Sequence, residues 1–185
     1  MSRAEEAIER ASIYELLALG FSLPSPELAK AVSGLISEYH RLFVGPGELP
    51  APPYESVYRE GWRVMGETTL DVQSAYEEAG YALDPSFKEL PDHVAAELAF
   101  MGLLTEEEAK AWKAGDASVA LSWLERERAF LDDHLTRWLP AFCDRLLAST
   151  EVRFYRKLAG ELQEFVALDA ERVTALTGLL EEALA

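Results

Sequence analysis

Apolar residues recur every three or four positions from one end of this 185-residue chain to the other. No stretch shows sustained alternation of apolar and polar residues with the β-branched side chains typical of strands. Helix start signals accompany the pattern: Ser2 and Glu5 form a capping box, and Ser25 precedes Pro26 at the start of a second helix. The sequence therefore predicts an all-α, single-domain helical bundle over residues 1–185.

Glycine, proline and short polar side chains set the predicted helix boundaries. The second helix is expected to continue from Pro26 until Gly45 and Pro46 stop it. Pro140 is expected to kink or break a long helix that begins at Asp116. The later predicted helix starts share a side-chain oxygen that can accept from free backbone N–H groups. They are Thr68, Thr105, Asp116, Thr150 and Asp169.

The N-terminal segment and the apolar runs bear on where the protein resides. No run approaches the roughly 20 apolar residues that a membrane helix needs, so stable membrane insertion is not expected. The first ten residues are acidic and amphipathic and lack the apolar core of an export signal. A cytoplasmic location is predicted. The lone Cys143 is interpreted as a small buried hydrophobe on a helix.

The net charge of −16 comes from 33 acidic residues against 17 Lys and Arg. A surface this negative repels phosphate backbones, which argues against a nucleic-acid partner, and it also repels anionic lipid headgroups. The same field attracts a basic segment and speeds its encounter. An acidic composition is also common in proteins that are merely soluble.

Signatures of catalysis and of cofactor sites are missing. The chain has no Glu-x-x-His pair of the di-iron bundles, no Gly-rich phosphate loop, no Gly-x-Ser-x-Gly elbow and no pair of zinc-type cysteines. His93 and Glu97 lie four apart on one helix, a weak metal signal without further ligands. His134 is interpreted as a packing or hydrogen-bonding residue near Trp138. The chain is predicted not to be an enzyme and to carry no cofactor or metal.

Two irregular stretches, Val44–Pro53 and Gly80–Leu90, are where a binding function is expected. Prolines stiffen the first stretch, so it can present side chains at low entropic cost. Asp92 follows the second stretch at a predicted helix start. Its carboxylate could cap that helix or pair with an incoming arginine, and the residues alone leave both readings open.

Three segments together closely resemble one known family. They are Tyr39-x-x-Leu42-Phe43-x-Gly45-Pro46, Pro53-Tyr54-x-Ser56-Val57-Tyr58 and the helix start Pro91-Asp92-His93. Their order and separation, followed by His134-x-x-x-Trp138, are similar to the TorD/DmsD/NarJ family of redox-enzyme maturation chaperones. Tyr54 and Tyr58 stand where some relatives carry tryptophans, so the aromatic character is kept while the identity of the client stays open.

The resemblance implies an all-helical cytoplasmic chaperone for a molybdopterin-containing oxidoreductase. Its partner would be the catalytic subunit or that subunit's N-terminal twin-arginine leader, held for cofactor insertion, assembly and export. The implied peptide-binding surface is an apolar groove with an acidic rim. Its residues would be Tyr39, Leu42, Phe43, Gly45, Pro46, Pro53, Tyr54, Tyr58, Asp92, His93 and Glu97.

Other functions remain open from the sequence. A NarJ-like chaperone would hold a respiratory subunit that is not exported, and a purely structural assembly factor would lack peptide specificity. A nucleotide-binding helical protein is disfavoured by the missing phosphate loop and the negative surface. The resemblance allows either a monomer or a domain-swapped dimer.

Overall fold

The periodic stretches fold into nine α-helices, and the computed structural model, which describes residues 1–185, contains no β-strand. The helices are α1 (Arg3–Gly20), α2 (Pro26–Ala31), α3 (Leu35–Tyr39), α4 (Glu55–Arg59), α5 (Glu67–Glu78), α6 (Val94–Ala114), α7 (Ala117–Phe130), α8 (Thr136–Ser149) and α9 (Arg153–Leu184). Two π-helical turns, His40–Val44 and Leu131–Leu135, follow α3 and α7. The all-α prediction is confirmed.

Three predicted helix starts have the expected caps. In α1 the backbone N–H of Glu5 donates to Ser2 Oγ at 3.2 Å, and Glu5 Oε2 accepts from the N–H of Ser2 at 2.7 Å. Ser25 Oγ accepts from the backbone of α2, and Asp116 Oδ1 accepts from that of α7. Each contact satisfies an N–H group that has no partner within its helix.

The long second helix predicted from Pro26 is wrong. The chain leaves the helical conformation at Val32 and turns through Gly34, whose φ of +78° favours glycine. The turn lets the chain resume as α3 and the first π-helical turn with Leu35 and Leu42 buried in the core. A single straight helix would have to place all of its apolar residues along one stripe.

Several other predicted boundaries also fail because the side chains serve a different purpose. Thr105 lies inside α6, where its hydroxyl donates to Met101 O at 2.6 Å. Asp169 lies inside α9, which runs unbroken. Pro140 is accommodated within α8, and the irregular backbone comes earlier, at the second π-helical turn. Thr68 lies inside α5, and its N–H donates to the carboxylate of Glu60.

The bundle encloses one continuous core of 32 buried residues. Its largest side chains include Trp138, Tyr14 and Tyr155, and α1 packs chiefly along α6 while α8 packs along α9. Cys143 is buried in this core, as predicted. None of the helices combines the length and apolarity that crossing a bilayer requires.

A buried ionic cluster joins four helices. Arg10 of α1 donates to Glu108 of α6 at 2.7 Å and to Asp169 of α9 at 2.5 Å, and it also pairs with Glu127 of α7. The hydroxyl of Tyr14 donates to Asp169 at 2.7 Å. One cation thus faces three carboxyl groups away from water, so removing it would leave buried acids with no opposite charge.

Candidate functional site

Backbone hydrogen bonds join the proline-rich loop to the start of α6. The N–H of Val94 donates to Pro53 O at 2.9 Å, and the N–H of Glu55 donates to Asp92 O at 3.0 Å. Between these bonds, Tyr54 and His93 form an isolated antiparallel bridge. Two motifs that are about 40 residues apart in sequence therefore meet at one place.

Asp92 caps a helix, but not the one expected from its sequence position. It is fully buried, and its Oδ2 accepts from the N–H of Ser56 at 3.0 Å, in the first turn of α4. The cap of α6 is His93, whose Nδ1 accepts from the N–H of Ala95 at 3.1 Å. In this structure Asp92 does not form an exposed acidic rim, because its carboxylate is used inside the fold.

His93 is held as a neutral imidazole. An acceptor Nδ1 requires that the ring proton sit on Nε2. Burial lowers the pKa of His93 to about 4, although the nearby carboxylates of Glu89 and Asp92 act in the opposite direction. The ring therefore stays uncharged at neutral pH and offers an aromatic edge to the ring of Tyr54, 5.2 Å away between centroids.

Glu97 is also buried, so it cannot belong to an exposed rim in this structure. Its Oε2 accepts from the indole N–H of Trp138 at 2.9 Å. Burial, together with the negative charge of Glu55, raises the pKa of Glu97 well above its usual range. A protonated, uncharged Glu97 avoids placing two like charges in the core.

The neighbouring His134 has the structural role predicted for it. Its Nδ1 lies 2.9 Å from Glu55 Oε2, and its ring packs on Phe130 at 4.7 Å between centroids. Glu55 Oε1 also accepts from Arg59 at 2.5 Å. These contacts fix α4 against the second π-helical turn. In residues 1–185, no cluster of three or more His, Cys, Asp or Glu is arranged to hold a metal ion.

Four of the predicted peptide-binding residues line one open pocket of about 220 Å³, here called the motif pocket. Tyr39, Phe43, Tyr54 and His93 give it an aromatic wall. Its single carboxylate is exposed Glu89, whose Oε2 accepts from the Tyr54 hydroxyl at 2.6 Å. The full lining is Tyr39, Phe43, Val44, Leu49, Tyr54, Glu89 and His93.

Sequence reasoning missed Glu89. It lies in the irregular stretch before α6, outside any helical pattern, and its only signal was a negative charge in a loop already expected to bind. Burial and the Glu89 carboxylate both raise the pKa of Tyr54, so its hydroxyl remains a donor at neutral pH. In this structure the exposed carboxylate of the pocket belongs to Glu89, whereas the resemblance implied Asp92 and Glu97 for the acidic rim.

The remaining predicted residues lie outside the pocket lining. Leu42 and Pro53 are buried, and Tyr58 packs on Trp138 at 5.5 Å between ring centroids. Gly45 ends the first π-helical turn at a point where a Cβ would come within 3.2 Å of His40 O. The surrounding contacts give these residues roles in shaping the loop and the core. The solvent-exposed member is Pro46.

A family model described as "Nitrate reductase delta subunit" matches residues 10–144, which is most of the chain and includes all three motif segments. The chain belongs to this family. Proteins similar in sequence to this chain include a chaperone protein TorD from Photobacterium profundum. It is 31% identical over 137 residues, which cover 74% of this chain and 62% of the relative. The chain thus spans about three fifths of that TorD. The resemblance predicted from the motifs is confirmed.

A second relative covers nearly all of both chains. It is a perchlorate reductase assembly chaperone protein from Dechloromonas aromatica, 24% identical over 211 aligned positions that cover 94% of this chain and 93% of the relative. A crystal structure described as a redox enzyme maturation protein from Archaeoglobus fulgidus has the same fold, with a TM-score of 0.58 and 22% identity. The match covers 85% of this chain and 93% of that one. The two sequence relatives are both named as chaperones, which agrees with the prediction that this family member is not an enzyme.

Proposed function

We propose that this protein is a cytoplasmic chaperone that binds the N-terminal leader of a molybdopterin-containing oxidoreductase before that client is assembled and exported. The observation that carries the proposal is the motif pocket, where Tyr39, Phe43, Tyr54 and His93 surround the exposed carboxylate of Glu89. Membership in a family with TorD and perchlorate reductase chaperones supports the class of client.

The chemistry of the pocket fits a basic leader. A guanidinium can form charge-assisted hydrogen bonds with Glu89 while its flat face stacks on Tyr54. None of the seven lining residues is Lys or Arg, so nothing in the pocket repels a cation. The net charge of −16 speeds the approach of a positive segment. The same absence of cations gives no support to a nucleotide phosphate in this pocket.

Calorimetric titration with leader peptides of molybdoenzymes from the same genome tests the proposal. Each leader is compared with a version in which both arginines are changed to lysine. Saturable binding that the change weakens is expected, because lysine keeps the charge but loses the bidentate geometry. If no leader binds saturably, the proposed function is refuted.

The variant Glu89→Gln tests whether Glu89 is the residue that contacts the leader arginines. It should weaken binding of the arginine leader by about tenfold, the size expected for a lost charge-assisted hydrogen bond. The arginine-to-lysine effect should shrink in this variant, because the two changes then remove the same interaction. Glu161→Gln, at an exposed site on α9, is the matched control and should leave binding unchanged.

A NarJ-like function, holding a subunit that is not exported, is the second candidate. It is favoured by the burial of Asp92 and Glu97, which leaves the motif pocket with five hydrophobic lining residues and one carboxylate. Leader binding that is indifferent to both the lysine changes and Glu89→Gln would favour this apolar mode.

A further inference from the structure

A second and larger concavity lies between α1 and α6, closed on one side by the loop before α6. It has a volume of about 430 Å³, within the range of pockets that bind ligands, and is here called the α1–α6 groove. Its lining is mostly apolar and comes from three segments. Those segments are residues 11–22, which comprise the second half of α1 and the turn after it, 82–87 of the loop and 95–106 of α6.

Small residues form the floor of the groove. Ala95, Ala99 and Gly102 follow one another at intervals of four and three, which places them on one face of α6. Leucine side chains flank the floor and remain open to water: Leu19 is 60% exposed and Leu103 is 39% exposed. Gly102 is already covered by α1, and Ala95 is buried, so Ala99 is the exposed residue of this face. A docked helix could therefore contact α6 at Ala99 and cover the leucine surface that is now hydrated.

The charges around the groove select the occupant. Its ionisable lining residues are Glu15, Asp84 and Glu106, and none of its lining residues is Lys or Arg. An acidic segment would be repelled, whereas an apolar segment joined to basic residues would be attracted. The groove therefore fits a partner segment that is both apolar and basic.

A ring contact links the lining of the α1–α6 groove to that of the motif pocket. Phe87 lines the groove, and its ring lies 6.0 Å from that of His93 between centroids. His93 lines the motif pocket with Tyr54. A row of three rings thus separates the two concavities, and one extended ligand can reach from one to the other.

The length of the groove agrees with such a ligand. From Ala95 to Glu106 the lining spans twelve residues of α6, a rise of about 16 Å along the helix. The apolar region of an export signal has about 7–15 residues, which as a helix is about 10–22 Å long. A helical apolar segment of this length can lay one face in the groove.

We propose that the α1–α6 groove holds the apolar segment of the client leader as a helix while the motif pocket holds the arginines that precede it. This assignment rests on the proposed leader-binding function and adds the second half of the binding surface. It places residues of α1, outside all three family motifs, in contact with the client. Ala99→Trp would fill the groove from an exposed position without disturbing the core.

The test uses a synthetic leader peptide with a dansyl group in the middle of its apolar segment. In titrations, Ala99→Trp should weaken binding at least about tenfold, as expected when the burial of one or two apolar side chains is lost. It should also abolish the blue shift of dansyl emission that is expected with the unmodified protein. Leu19→Asn, which makes one wall polar, is a second variant with an effect in the same direction. Ala175→Trp, at an exposed position on α9, is the matched control and should change neither readout.

The outcomes separate the two proposals. If the unmodified protein binds the leader and Ala99→Trp and Leu19→Asn bind it equally well with the same emission shift, the groove assignment is overturned and the leader-binding function stands. If the unmodified protein binds no leader, both proposals fall together. Weakened binding in both variants, with Ala175→Trp unchanged, supports the groove.

Discussion

Replacing Arg10 by methionine should destabilise this protein more than any loss of a surface ion pair. Arg10 is 4% exposed and is the cation shared by Glu108, Glu127 and Asp169. Removing one partner from a buried ionic network costs about 3–5 kcal/mol, because the remaining charges stay buried without compensation. Against a typical unfolding free energy of about 5–15 kcal/mol this is a large fraction. For a chain of this size the melting temperature should fall by about 6–20 °C.

The loss of unfolding free energy caused by Arg10→Met, here called the deficit, should depend on pH. Burial raises the pKa of Glu127 to about 8, whereas in the unfolded chain it is about 4.3. The folded state therefore binds this proton more tightly, and the associated stability is complete below about pH 4 and lost as the pH rises through 8. Without Arg10 the ionised acids lose their counter-charge, so the deficit should be larger at about pH 8 than at about pH 5.5.

Urea unfolding of both proteins at the two pH values measures the effect. The control is Arg172→Met, which breaks the partly exposed pair with Glu6 at 2.7 Å and should cost about 0–1 kcal/mol. The reasoning is refuted if Arg10→Met costs no more than this control. It is also refuted if the deficit of Arg10→Met is the same at both pH values.

Two further substitutions and one labelling experiment have defined outcomes. Trp138→Ala should lower the unfolding free energy by about 3–5 kcal/mol in urea titrations, since it empties a fully buried site and leaves Glu97 without its indole donor. Asp92→Ala should cost about 0.5–2 kcal/mol in the same assay, because it removes the cap of α4. Cys143 should react with a thiol reagent only after unfolding, since burial raises its pKa to about 12 and the nucleophilic thiolate is then scarce.

These predictions have clear contrary results. An unchanged urea midpoint for Trp138→Ala would mean that the core closes over the lost volume. Asp92→Ala with full stability but weakened leader binding would return Asp92 to the client surface that the sequence predicted. Rapid modification of Cys143 in the native protein, at the rate of a free thiol, would contradict its burial.

Features that depend on neighbouring residues were predictable from the sequence. The capping box at Ser2, the cap at Ser25 and the cap at Asp116 are all present, because each is a contact between residues three apart. The all-α class was predictable for the same reason: helical periodicity is a local property repeated along the whole chain. The motif spacing also identified the family.

Predictions of helix starts failed where a polar side chain could either cap a helix or make a contact inside the bundle. The local sequence pointed only to the cap. Thr105 and Asp169 are residue types that often cap helix starts, yet both lie inside helices. Asp169 joins the buried cluster around Arg10. The resemblance implied that Asp92 and Glu97 belong to a client-binding surface, and in this structure both are buried. Whether a carboxylate faces water or a distant cation depends on residues far away in the sequence.

The sequence by itself determined the helical class and the family, because periodicity, caps and motif spacing are carried by short stretches of chain. The tertiary structure brought the motifs together through backbone hydrogen bonds between residues far apart in sequence. Tertiary structure alone decided which motif residues are accessible, since burial depends on which helices pack together. It brought Glu89 to the pocket of Tyr54 and His93, and it opened the groove beside α1, whose alanines and leucines are unremarkable in the sequence. Accessibility is a property of the assembled surface, so the motifs could name candidate binding residues but could not show which of them face solvent.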